Sequence, residues 1–142
     1  MIPYYCNEAV LQLQGVHGLV DRTRQLLDIV TQEGVELQLV IEREQLAPNA
    51  SLAATIEASL AERRRSLRGF EIVSAAAREY PEVVGTEARL TYVHRERGPL
   101  FLHEFHCQLE QTRLGFIGTA RLANAAACDQ FMQTTLHYLK PR

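Results

Sequence analysis

The stretch that decides the fold is ARLTYVHRERGPLFLHEFHCQLEQTRLGFIGTAR, running from Ala88 to Arg121. Within it, side-chain character alternates with a period of two over Ala88–Arg95, Leu100–Leu109 and Leu114–Arg121, the mark of β-strands. The breaks between these runs are short: Glu96-Arg97-Gly98, then Glu110-Gln111-Thr112. Connections this short can join only neighbouring antiparallel strands, so the stretch reads as a meander.

Working outward, Val35–Arg43 and Phe70–Ala75 carry the same alternation. Residues 22–30, RTRQLLDIV, fit either a short helix or a strand. The strand is favoured, because Thr31-Gln32-Glu33-Gly34 is the right length to turn it back on Val35–Arg43. Tyr4–Leu13 suggests a short hairpin or a bent strand. Two segments switch to helical spacing. Ser51–Leu67 has Asn49 or Ser51 as N-cap, Gly69 to end it, and an apolar stripe of Leu52, Ile56, Leu60 and Leu67. Ala125–Tyr138 has Asn124 as cap, Pro141 just beyond, and an apolar side of Cys128, Phe131, Met132 and Leu136. The expected class is α+β: one domain over residues 1–142, a curved antiparallel sheet layered with two main helices.

Composition narrows the function. With 46% hydrophobic and 23% charged residues in 142, the chain can bury a core and is not disordered. A net charge of -2 gives nucleic acid no electrostatic pull. The Arg63-Arg64-Arg65 run reads as a solvated flank, since consecutive helical positions diverge. No apolar run approaches the roughly 20 residues that span a bilayer. The opening Met-Ile-Pro-Tyr-Tyr-Cys-Asn-Glu lacks the basic and apolar regions of a signal peptide, and Cys6, Cys107 and Cys128 are odd in number and unpatterned. A cytosolic protein without stable membrane insertion is expected.

No phosphate loop, dinucleotide fingerprint, Cys-x-x-Cys, His-Glu-x-x-His or Gly-x-Ser-x-Gly is present. His103 and His106, three apart on a strand, face opposite sides and cannot share a metal. His94 and His17 have no evident partner. Cys107, on a core side, reads as inert packing. Glu104 and His106 share a face and form the sole candidate acid/base pair. No cofactor, no metal and no catalytic activity are expected.

The faces are more informative. Phe101, His103, Phe105, Cys107 and Leu109 make one side of their strand a core side, as do Leu37, Leu39 and Ile41, and Leu114, Phe116 and Ala120. The reverse carries Leu100, Leu102, Glu104, His106 and Gln108, then Glu36, Gln38, Val40 and Glu42, then Gly115, Ile117 and Thr119. A wet face should be cleanly polar; this one is mixed. Either a helix covers part of it as a second small core, or it is an amphipathic groove awaiting an apolar partner.

Taken in order, Tyr4-x-x-Asn7-Glu8-Ala9, Asp21-Arg22-Thr23, Val40-Ile41-x-Arg43, Leu60, Leu67, Gly69-Phe70 and Arg95-Glu96 leading to Leu100-x-Leu102 resemble the DcrB-related proteins. Within them, the chain looks like the Eag chaperones of bacterial type VI secretion. That resemblance implies a Mog1/PsbP-like fold, a homodimer, and a cytosolic chaperone that shields the N-terminal transmembrane helices of PAAR- or Rhs-type effectors before loading onto the VgrG spike, which it would meet only indirectly. The family's groove carries over to Leu26, Gln38, Val40, Glu42, Ser59, Arg63, Leu67, Leu100, Leu102 and Glu104. Arg24, Arg63 and Glu42 depart from the small or apolar residues expected there. Two other readings use the same face: a small-ligand-binding or scaffold domain, and an enzyme centred on Glu104 and His106.

Overall fold

The computed structural model describes residues 2–5 and 10–13 as backbone and residues 24–141 in full. Ile2–Tyr5 (β1) and Val10–Leu13 (β2) pair antiparallel as a separate two-stranded ribbon, which gives Tyr4–Leu13 its hairpin character. Asn7, Glu8, Ala9, Asp21, Arg22 and Thr23, on which part of the resemblance rests, lie outside the described residues, as do Cys6 and His17.

The main sheet has six strands: Arg24–Val30 (β3), Glu36–Gln45 (β4), Glu71–Glu79 (β5), Val84–His94 (β6), Gly98–Leu109 (β7) and Thr112–Arg121 (β8). Their spatial order is β3-β4-β8-β7-β6-β5, antiparallel throughout. Of the ambiguous residues 22–30, the described part, Arg24–Val30, is a strand, paired Leu26 to Val40 and Ile29 to Leu37. β5 and β6 are longer than the sequence suggests. They meet in a tight turn around Pro81, closed by the Tyr80 N–H on the Val83 carbonyl at 2.8 Å. Gly98, at φ 77°, makes the β6–β7 turn in a backbone region that costs other residues about 1 kcal/mol or more.

Leu52–Ser66 (α1) is capped by Ser51, whose Oγ accepts from the Ala54 N–H at 3.1 Å. Ala125–His137 (α2) starts directly from a 3-10 turn at Leu122–Asn124, and the Asn124 side chain makes no capping bond. Leading straight out of that turn, the helix has no need of the side-chain cap that the sequence suggested.

The two helices do unequal work. α2 lies on the face carrying Leu37, Leu39, Phe101, Phe105, Cys107, Phe116 and Ala120, and buries Cys128, Met132 and Leu136 against it. At about 1.5–3 kcal/mol per fully buried large side chain, this layer is the main hydrophobic stabilisation. α1 lies on the opposite face and buries Ile56 alone. That face is only partly covered.

Candidate functional site

Strand register assembles the second face in rows. One row runs Leu26, Val40, Ile117, Glu104, Ala88; the next runs Asp28, Gln38, Thr119, Leu102, Leu90; a third runs Arg24, Glu42, Gly115, His106, Thr86. α1 lies over β7 and leaves a trough toward β4 and β8. The trough has a volume of about 530 Å³, with the sheet as floor and Thr55, Ile56, Ser59, Arg63 and Leu67 as wall.

Eight of the ten residues inferred for this site line the trough: Gln38, Val40, Glu42, Ser59, Arg63, Leu67, Leu102 and Glu104. Leu26 lies outside it, on the same face at the sheet's edge and 60% exposed. Leu100 does not belong to the lining. It is fully buried, as Leu90 on the same face is, and Ile56 of α1 is buried too, so this part of the mixed face is covered. Ile117, Thr119, Tyr92, His94 and Arg113 join the lining; alternation placed Ile117 and Thr119 on this face, but nothing marked the other three.

The floor is crossed by a chain of charges. Arg63 is no solvated flank: it reaches across to Glu104, donating from both terminal nitrogens, with Nη2 to Oε1 at 3.0 Å. Arg64 and Arg65 stay exposed, Arg65 pairing with Glu62 along the helix. Glu104 is 1% exposed and also accepts from His106 Nε2 at 3.0 Å. Arg113 lies 2.9 Å from His106 Nδ1. Arginine can only donate, so Nδ1 accepts and Nε2 carries the proton. Arg113 in turn binds Glu44 at 3.1 Å and Glu42 at 3.4 Å, and Glu42 binds Arg24 at 3.1 Å. Burial alone would raise the Glu104 carboxyl; the hydrogen bonds from His106 and Arg63, with the Arg63 charge, outweigh it and hold it below the usual range.

Chemically, this pairing leaves little to titrate. Glu104 stays ionised at neutral pH, the wrong form for a general acid. The two described thiols lie between α2 and the sheet, Cys128 on the helix and Cys107 on β7, where burial raises Cys107 and pushes Cys128 up to about 12. Among the described residues no group of His, Cys, Asp and Glu is arranged to hold a metal ion. His103 sits on the other face, fully buried, with Nδ1 2.7 Å from Asp129 of α2.

No protein-family model matches the chain, and no curated protein matches it in sequence. Solved structures do. A Pseudomonas aeruginosa protein of unknown function, PA94, described as a candidate regulator, superposes with a TM-score of 0.77 at 17% identity, covering 100% of this chain and 97% of its own. Cyanobacterial PsbP from Synechocystis gives 0.54 at 10% identity, over 87% of this chain and 94% of that one. The fold is PsbP-like. LpqN of Mycobacterium tuberculosis, involved in cell envelope biogenesis, gives 0.54 at 11% identity, over 84% and 82%. At these identities the likeness concerns the PsbP-like fold alone.

Proposed function

We propose that this chain is a cytosolic, homodimeric chaperone that shelters the N-terminal transmembrane helices of a type VI secretion effector of PAAR or Rhs type and passes it to the VgrG spike. The carrying observation is the trough: a PsbP-like sheet face that its own helix leaves half open. Among the described residues no helix is long and apolar enough to cross a membrane.

The chemistry suits a neutral, apolar helix. Val40, Ile117, Leu102, Ile56 and Leu67 line the trough, and exposed Leu26 and Val30 continue it to the sheet edge. Val40 and Ile56 are already buried; Leu26 and Val30, 60% and 68% exposed, are the side chains a client could still cover, each contributing up to roughly 1.5–3 kcal/mol before association costs. Gln38, Ser59 and Thr119 supply short polar contacts for a helix that comes close. Arg24, Arg63 and Arg113 are each paired with Glu42, Glu44 or Glu104 inside the trough, so these charges do not ask for a charged ligand.

Co-expression with the N-terminal region of a PAAR or Rhs effector from the same genome should give a soluble complex in size-exclusion chromatography. Ser59→Trp, on the exposed side of α1, should fill the trough and abolish co-elution without unfolding the chain. An effector region that stays soluble by itself, or never co-elutes, would refute the reading.

A further inference from the structure

We infer that α1 is a hinged wall of the trough, and that the Arg63–Glu104 ion pair is the clasp holding it shut. The inference rests on the chaperone reading only for what enters; the clasp itself is a property of the free chain.

The attachment of α1 is thin and localised. Ile56 is its one buried residue, against three in α2. Among the described residues, Arg63 to Glu104 is the only side-chain hydrogen bonding from α1 to another element. The other side-chain bonds of α1, from Thr55 to Ser51, Arg65 to Glu62 and Ser66 to Glu62, stay within the helix and its cap. A single bidentate pair thus sets how close the wall stands to the floor.

The same arginine carries a defect in the closed state. Its Nε is buried and has no hydrogen-bond partner. An unsatisfied buried donor opposes the arrangement that buries it, and swinging α1 outward would hydrate it. The anion left behind is not stranded: Glu104 keeps the His106 Nε2 proton, and His106 keeps Arg113. A buried ion pair is costly to break when one charge is left alone; here the carboxylate has a second donor already in place.

The helix is also mounted to swing. Before it, the Leu46 N–H is fixed to the Gln111 carbonyl at 2.7 Å, and Leu46 itself is buried. After it, the Val93 N–H is fixed to the Arg68 carbonyl at 2.8 Å, followed by Gly69 at φ 63°. Both ends are pinned to the sheet, with the loop 47–51 and the extended cap residue Leu67 between helix and pins, while the middle is held by the clasp and Ile56.

Hydrogen exchange on the full chain tests this. In Arg63→Gln the α1 amides should exchange at least about tenfold faster than in the parent, with α2 amides unchanged, and the dye ANS should bind the opened trough more strongly. Arg63→Lys, which keeps the charge and loses the fork, should fall between. Unchanged α1 protection in Arg63→Gln would overturn the clasp; so would equal loosening of α1 and α2, which would make the pair a global stabiliser. Failure of an effector segment to co-elute would sink the chaperone reading and leave the exchange result standing, and the reverse holds equally.

Discussion

Leu26 and Leu100 face the same side of the sheet, yet a substitution at each should show in a different measurement. Leu26 is 60% exposed, so Leu26→Glu should change the urea-denaturation free energy by no more than about 0.5 kcal/mol. Its effect should fall on client binding, weakening co-elution of the effector segment. Leu100 has no exposed surface, and Leu100→Ala should lower stability by about 2–5 kcal/mol in the same titration. Val40, 8% exposed, belongs with Leu100: a charge there would disrupt the floor before it could report on binding. Gly85 is a third sensitive position. A Cβ built on it would stand 2.1 Å from the His106 carbonyl oxygen, which is backbone and cannot step aside. Gly85→Ala should therefore lose more than about 3 kcal/mol in urea titration, although glycine in a strand usually gains from replacement.

At the level of elements, α2 is held by a polar cluster as well as by its apolar stripe. Asp129 accepts from Arg89 at 2.6 Å and lies 2.7 Å from His103, while Glu87 is bonded by the Tyr80 hydroxyl and lies 3.1 Å from Arg89. Burial would raise both carboxyls; for Glu87 the Tyr80 bond and His103, and for Asp129 the Arg89 and His103 bonds, outweigh it and depress them. A depressed carboxyl stabilises the fold above its unfolded value, about 4.3 for Glu and 3.9 for Asp, and the gain is lost as pH falls through the folded value. Thermal melts should thus hold steady from pH 7 to about 5 and fall steeply below about 4. In Asp129→Asn the slope should be shallower, and a parent melt flat down to pH 3 would contradict the assignment.

The elements also show what sequence can carry. The alternation in β7 and β8 revealed which residues share a face, because pleating leaves no choice once the strand exists. Strand ends were harder to read. Beyond the expected Ala75, Ala76-Ala77-Arg78 favours helix by local propensity and extends β5 only because β6 pairs with it, Ala76 opposite Glu87 and Ala77 opposite Thr86. The depth of Leu100 depends on where α1 comes to rest, and the partner of Arg63 is a carboxylate forty-one residues away. Neither fact is local. For the same reason eight trough residues were legible from a face pattern and a resemblance, whereas His94, Tyr92 and Arg113 enter through tertiary placement.

On the scale of the whole molecule, the spatial order β3-β4-β8-β7-β6-β5 divides the chain into two folding problems. β5 to β8 follow one another as neighbours, so their contacts close over short loops. The β3–β4 hairpin, made first in sequence, joins through β4 to β8, pairing Gln38 with Thr119 and Gln45 with Thr112. Leu37→Ala in β4 should accordingly act mainly on the unfolding rate, and Leu90→Ala in β6 on the folding rate, in stopped-flow chevrons.

That order has a bearing on synthesis. The trough floor runs from β4 through β8 to β7, so a nascent chain on the ribosome holds two separate banks until β8 emerges to join them. Under the proposed role, a copy that lacks β8 would have no continuous floor on which to seat a partner's greasy segment. Docking competence, on the proposed role, would arrive in a single late step, when β8 slots between β4 and β7 already waiting for it.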